Sequence, residues 1–144
     1  MPDRRTIPVS VVVNFSAVSY NSTTNQWTGS PTFNVPATTP VQAGLNTIVW
    51  TLRPAAVPHG FDAVFDPGDG IAFDPGWPGG PPSMVSTTVI QANDDFTTPP
   101  PTSETFEYSV DVRLVSESNS TLWKDFSYDP DVENESANLT HVAT

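Results

Sequence analysis

The sequence contains no cysteine in its 144 residues, which excludes disulfide bonds, thiolate metal sites and thiol catalysis. Basic side chains are scarce: 5 Lys and Arg stand against 16 Asp and Glu, for a formal net charge of −11. Because nucleic acids and anionic membranes are bound through clustered Lys and Arg, we expect neither as a partner. The sequence also lacks an apolar run of the roughly 20 residues that a transmembrane helix requires.

The first residues do not have the charged, apolar and small-residue segments of a secretory signal peptide. Pro8 and Ser10 interrupt the apolar residues between Ile7 and Val13, where such a peptide would be continuously apolar. The default expectation is therefore a cytoplasmic protein. A secreted or surface protein is the expectation if a leader has been removed.

The clearest pattern is the strict alternation of apolar and polar residues from Thr105 to Leu114. Successive side chains of a β-strand point to opposite faces, so this segment predicts a strand with one buried and one solvated face. Such strands are typical of antiparallel sheets, because strands of doubly covered parallel sheets are apolar throughout. Further strands are predicted at 7–17, with a bulge or break near Ala17, and at 32–35, 45–52, 60–65, 71–73, 84–90 and 122–128.

No segment has a convincing helical period, and 16 prolines leave few windows in which a long helix could form. Many short strands separated by turn residues are typical of a β-sandwich. We therefore predict an all-β antiparallel sandwich of about 7–8 strands over residues 1–129. A Pro/Gly-rich loop from Asp66 to Pro82 interrupts it, and residues 130–144 are predicted to form an acidic, loosely held C-terminal tail.

Two of these segments resemble strands of fibronectin type III and related immunoglobulin-like domains. Thr47-Ile-Val-Trp-Thr-Leu52 is similar to their second strand, and Phe106-Glu-Tyr-Ser-Val-Asp-Val112 is similar to their penultimate strand. The resemblance implies an immunoglobulin-like Greek-key sandwich in which Trp50 and Tyr108 face each other in the core. It also implies that the tyrosine hydroxyl can bond to nearby backbone, and it implies no function.

The sequence contains few residues or motifs that are typical of catalysis. His59 and His141 are its only near-neutral bases, and the common nucleophile, phosphate-binding and zinc motifs are absent. A hydrolase that uses two carboxylates is conceivable. The acid pairs that could serve it are Asp94 with Asp95, and Asp62 with Asp66.

Calcium is a possible ligand because it binds several carboxylate and carbonyl oxygens. The candidate ligands near the Pro/Gly-rich loop are Asp62, Asp66, Asp69 and Asp74. The competing explanation is that an Asp before Pro-Gly caps its own turn. A second acidic cluster near the C-terminus consists of Asp125, Asp129, Asp131, Glu133 and Glu135.

Three tryptophans are candidates for ligand or partner binding. Trp27 and Trp77 lie in predicted loops, and Trp123 is out of phase with the apolar residues of its strand. Exposed tryptophans stack on sugar rings and anchor protein interfaces. Alternatively, each ring folds back to cover an end of the sandwich.

The sequence therefore predicts a non-enzymatic interaction or structural module with a protein partner. Contact is expected through the Pro/Gly-rich loop and its neighbouring tryptophans, or through an exposed sheet edge. A carbohydrate- or calcium-binding sandwich is the alternative, and a small carboxylate hydrolase is third.

Overall fold

The computed structural model describes residues 3–136 of the chain. Over that range the backbone forms 13 β-strands and no helix, so the chain is all-β, as the alternating pattern predicts. The strands form a five-stranded sheet, a six-stranded sheet and a two-stranded hairpin. In chain order they are β1 Arg5–Asn14, β2 Ser19–Asn21, β3 Gln26–Thr28, β4 Thr32–Asn34, β5 Thr38–Val41, β6 Asn46–Ala55, β7 Phe61–Phe65, β8 Ile71–Phe73, β9 Ser83–Ser86, β10 Val89–Asn93, β11 Glu104–Ser116, β12 Trp123–Tyr128 and β13 Asp131–Asn134.

The five-stranded sheet has the order β4-β1-β6-β10-β9. Its two longest members, β1 and β6, are parallel along their whole length, beginning with Arg5 opposite Asn46. The other pairings in this sheet are antiparallel. Strand β9 forms one edge, and its Met84 and Val85 side chains are exposed. The segment 84–90, predicted as one strand, is divided by a turn at 87–88 between β9 at the edge and β10 inside the sheet.

The six-stranded sheet is organised around β11, whose 13 residues are long enough to pair with two strands on each side. One side carries β12 and β13, and the other carries β7 and β8, all antiparallel to β11. Strand β5 then joins β13 in parallel. A proline separates the two short strands on each side: Pro67 follows β7, and Pro130 precedes β13.

The apolar faces of the two sheets pack together around Trp50 and Tyr108. Trp50 of β6 is 0% exposed and Tyr108 of β11 is 1% exposed, and their ring centroids lie 5.5 Å apart. The predicted core positions of these two residues are therefore confirmed, and the arrangement is consistent with a β-sandwich. The tyrosine hydroxyl accepts a hydrogen bond from Trp50 Nε1 at 3.1 Å, so within residues 3–136 its partner is a side chain and not the nearby backbone that the resemblance implies.

The structure differs from the sequence prediction in strand number and direction. It has 13 strands instead of 7–8, because several predicted loops contain strands of three or four residues. The sheets are mixed, since β1 pairs with β6 and β5 pairs with β13 in parallel. The predicted break near Ala17 is confirmed, because β1 ends at Asn14 and β2 begins at Ser19.

The predicted C-terminal tail is not loosely held over its first residues. Asp131–Asn134 form β13, and Val132 is 0% exposed in the core. A single apolar residue among acids gave too weak a periodic signal to predict a strand. The rest of that predicted tail, residues 137–144 with His141, lies outside the described residues.

Candidate functional site

The candidate site lies on the outer face of β11, where the alternation of the strand places polar side chains. Val110, Val112 and Leu114 are fully buried, whereas Asp111 and Arg113 between them are only partly covered. The register places Arg113 opposite Asp125 of β12 on one side and opposite Val64 of β7 on the other. Side chains from three strands therefore meet around Arg113.

The Arg113 guanidinium is the centre of this site. Its Nε donates to Asp125 Oδ1 at 2.8 Å, and its Nη2 donates to Asp125 Oδ2 at 3.2 Å and to Asp66 Oδ2 at 3.1 Å. Its Cζ lies 3.6 Å from the ring centroid of Trp123, close enough for a cation–π interaction. We call the surface formed by Asp66, Asp111, Arg113, Trp123 and Asp125 the Arg113 face.

The turn after β7 positions Asp66. Its Oδ1 accepts hydrogen bonds from the backbone N–H of Gly68 at 2.8 Å and of Asp69 at 3.0 Å. This confirms that the aspartate before Pro-Gly caps its own turn. The other carboxylate oxygen, Oδ2, remains directed at Arg113.

The carboxylates of the Arg113 face perturb one another. Burial, followed by the charges of Asp66 and Asp125, raises the pKa of Asp111 to about 6. Burial also raises the pKa of Asp125. Hydrogen bonding with the Asp125 carboxyl lowers the pKa of Asp66 to about 2, and its turn N–H groups and Arg113 act in the same direction. Two carboxyl groups thus share one guanidinium while Asp111 has no such partner, and the surface is acidic at neutral pH.

Trp123 is the exposed member of the three candidate tryptophans. It is 45% exposed, and it lies beside the carboxylates of the Arg113 face. Among residues 3–136, the other large apolar side chains with comparable exposure are Met84 at 38% and Val85 at 61%, both on edge strand β9. An apolar ring inside an acidic surface therefore distinguishes the Arg113 face from that edge.

Trp77 and Trp27 instead pack against the core. Trp77 stacks on Phe73 with ring centroids 3.9 Å apart, and its Nε1 donates to Gly80 O at 3.0 Å. Trp27 lies 4.9 Å from Tyr20 and 5.0 Å from Phe61, measured between ring centroids. The alternative in which these rings fold back on the sandwich therefore describes both of them.

The four aspartates considered as calcium ligands are spread along β11. Backbone pairing places Asp62, Asp66 and Asp74 beside positions 115, 111 and 107 of that strand. Four residues of a strand span about 13 Å, too far for one ion. Only Asp69 lies near Asp66, through its backbone N–H. Within the described residues, no group of three or more His, Asp or Glu side chains is placed to hold a metal ion.

Three of the four acids considered for hydrolysis are buried or paired with other residues, and the fourth, Asp62, is exposed. Asp94 is 1% exposed and accepts a hydrogen bond from Asn134, which leaves it no access to a substrate in solution. Asp95 forms a two-bond ion pair with Arg4, at 2.8 and 2.9 Å. Asp66 is held by Arg113, as described above. His59 is exposed.

Sequence reasoning did not identify Arg113 or Asp111, and it named Asp94 only as one of a pair of acids for hydrolysis, not as a buried residue. The first two were within reach, because strict alternation places Asp111 and Arg113 on one outward face of the best predicted strand. Their contacts with Asp66 and Asp125 depend on strand pairing between distant segments. Asp125 was grouped only with its acidic neighbours in sequence.

Comparison with protein-family models and with curated proteins gave no match for this chain. In residues 3–136 there is no helix of the length and apolarity needed to cross a bilayer.

Proposed function

We propose that this chain is a non-enzymatic interaction module on an immunoglobulin-like sandwich, and that it binds a protein partner through the Arg113 face. The strand pairing supports the immunoglobulin-like part of the proposal. The neighbours β6-β10-β9 correspond to strands B, E and D of that fold, and β7/β8-β11-β12/β13 correspond to C, F and G. The parallel pairing of β1 with β6 departs from it.

The observation that carries the binding proposal is the exposed Trp123 ring among charged groups. Tryptophan and arginine are enriched among the residues that contribute most to protein interfaces. Here they are in contact, and the pairing of Arg113 with Asp66 and Asp125 holds the guanidinium over the ring. The site is therefore pre-organised, which reduces the entropy lost on binding.

The charge of the surface indicates the chemistry of the partner. Asp69 and Asp129 also act on Asp111, so five carboxyl groups lie near one another on this surface, and two of them pair with Arg113. A partner surface with Lys or Arg side chains around an apolar centre would complement this arrangement. The overall charge of −11 favours the same class of partner.

The proposal is tested by NMR titration of the ¹⁵N-labelled protein with Lys/Arg-rich peptides containing leucine, using acidic peptides of equal length as controls. We expect shift changes on β11 and β12 around Arg113 that weaken at high salt. Trp123→Ala should weaken binding about tenfold or more, whereas the matched variant Val85→Ala on edge strand β9 should not. Equal binding of the acidic peptides, or equal effects of the two variants, would contradict the proposal.

A carbohydrate ligand is the second candidate, because carboxylates beside an exposed tryptophan are suited to hydrogen-bond a sugar stacked on the ring. Arg113 already covers part of the ring, which ranks this candidate below the protein partner. A glycan panel probed with the wild type and with Trp123→Ala decides between them. Calcium binding stays a prediction, tested by the effect of calcium and of EDTA on the melting temperature.

A further inference from the structure

A buried polar cluster lies at one end of the molecule, where the two sheets meet. Asn46 begins β6, Asp94 follows β10 and Asn134 ends β13. Their exposed fractions are 0%, 1% and 3%. Asn46 lies in the five-stranded sheet, and Asp94 directly follows a strand of that sheet. Asn134 lies in the six-stranded sheet.

Hydrogen bonds join these residues through Asp94. The Asp94 backbone N–H donates to Asn46 O at 2.9 Å, and Asn46 Nδ2 donates to Asp94 O at 2.9 Å. Asn134 Nδ2 donates to Asp94 Oδ1 at 3.2 Å. The last bond connects side chains of the two sheets across 40 residues of sequence.

Three buried oxygens in the cluster remain unsatisfied. No donor among residues 3–136 reaches Asp94 Oδ2, Asn46 Oδ1 or Asn134 Oδ1. All three are acceptors when Asp94 is ionised, so they cannot bond to one another. A buried polar atom without a partner is costly, and a buried charge is more so. A proton on Asp94 would turn one of these acceptors into a donor.

We propose that Asp94 is held as a neutral carboxylic acid whose Oδ2–H donates to Asn134 Oδ1, so that acid and amide form a two-bond pair between the sheets. The observed bond from Asn134 Nδ2 to Asp94 Oδ1 is one half of this pair. The second bond would satisfy Asp94 Oδ2 and Asn134 Oδ1 together. It requires one proton and no further group.

Burial is the main influence that favours this protonation. Burial, opposed by the Asn134 hydrogen bond and assisted by the charge of Asp95, raises the pKa of Asp94 to about 6. Arg4 is paired with Asp95, and it also donates to Asn46 O at 3.0 Å. Arg5 on β1 donates to the carbonyls of residues 42 and 43, and Glu135 follows Asn134 on the β13 side. Two guanidinium groups close to the cluster disfavour a divalent cation as the group that satisfies these oxygens.

The consequence is a sheet-to-sheet connection that weakens as pH rises. The folded-state pKa of Asp94 lies above the ordinary carboxyl value of about 3.9, so the folded protein binds this proton more tightly. Its contribution to stability is complete below about pH 4 and is lost as pH rises through about 6. A difference of roughly two pKa units corresponds to about a 100-fold change in the folding equilibrium constant.

The test compares urea denaturation of the wild type, Asp94→Asn and Asp111→Asn from pH 4 to 8. Asn at position 94 supplies a neutral N–H donor in place of Oδ2–H, so this variant should fold. The folding equilibrium constant of the variant should lack the roughly 100-fold decrease with rising pH that Asp94 contributes. Asp111→Asn removes the other carboxyl whose pKa is raised to about 6, so it should lose only its own share of the decline, and the double variant should lose both shares. A decline in Asp94→Asn equal to that of the wild type would overturn the proposal.

A direct readout covers the case in which Asp94→Asn does not fold. The ¹³Cγ resonance of Asp94 in the wild-type protein should report a neutral carboxyl at pH 5 and titrate near pH 6. A carboxylate that is already ionised at pH 5 would overturn the proposal independently of any variant.

Discussion

Asp111 on the Arg113 face and Asp94 in the buried cluster both have a pKa raised to about 6, with burial as the first cause. Their surroundings differ. Asp111 lies among other carboxylates beside a guanidinium, whereas the Asp94 side chain is bonded to an amide. The first region is acidic and open, and the second is closed and neutral once it holds a proton. Similar pKa values therefore accompany the proposed binding surface in one place and the proposed connection between the sheets in the other.

The largest effect on stability is expected when the Asp94 carboxyl loses its hydrogen-bond partner in the buried cluster. Asn134→Ala would leave the Asp94 carboxyl buried without its amide, and we expect a loss of about 2 kcal/mol in the free energy of unfolding. Urea denaturation at pH 5 measures it. The control is Asn93→Ala, whose exposed side chain accepts from Thr47 Oγ1 at 2.9 Å and should cost less than about 0.5 kcal/mol. Equal losses would mean that burial of the cluster does not matter.

A smaller effect on stability is expected when the guanidinium of the Arg113 face is removed. Arg113→Ala removes a partly exposed two-carboxylate pairing, and we expect a loss of about 1 kcal/mol at pH 7. The loss should shrink in part towards pH 4, because Asp125, whose pKa is raised, becomes protonated first while Asp66 stays ionised, and it should also shrink in high salt. Arg53→Ala, at an exposed position of β6, is the control and should leave the free energy of unfolding nearly unchanged. A loss independent of pH would indicate that Arg113 stabilises through packing alone.

The smallest effect on stability is expected at the proposed binding residue. Trp123→Ala should change the free energy of unfolding by less than about 0.5 kcal/mol, because its ring is 45% exposed at the edge strand β12. Thermal and urea denaturation measure it. A loss above about 2 kcal/mol would show that the ring has a structural role, and it would remove the reason to regard it as a binding group.

Local alternation explains how much of this molecule could be predicted from sequence. It gave the all-β class and the long central strand, because each depends on which face of one strand is apolar. The facing positions of Trp50 and Tyr108 came from the resemblance to immunoglobulin-like domains. Alternation could not give the parallel pairing of β1 with β6, which depends on the partner chosen by a distant segment. For the same reason the burial of Asp94 was not predicted, because it depends on the packing of distant segments such as that of Asn134.

The candidate site was predicted only in part. Trp123 was named because its phase differs from its strand, and the structure places it outward. Trp27 and Trp77 lie in segments whose polar, turn-rich sequence is typical of exposed loops. Aromatic contacts nevertheless cover both rings. Asp66 was named as a calcium ligand, and its contact with Arg113 becomes visible only when β7 and β11 are paired.

The most direct measurement is ¹⁹F NMR of the protein labelled with 5-fluorotryptophan, with its four resonances assigned by substitution. The account rests on Trp123 being the tryptophan open to solvent, with Trp50 as the fully buried reference. It predicts the largest H₂O-to-D₂O shift at Trp123 and none at Trp50, with Trp27 and Trp77 between them. A shielded Trp123, or a larger solvent shift at Trp77, would contradict the assignment of the Arg113 face as the binding surface.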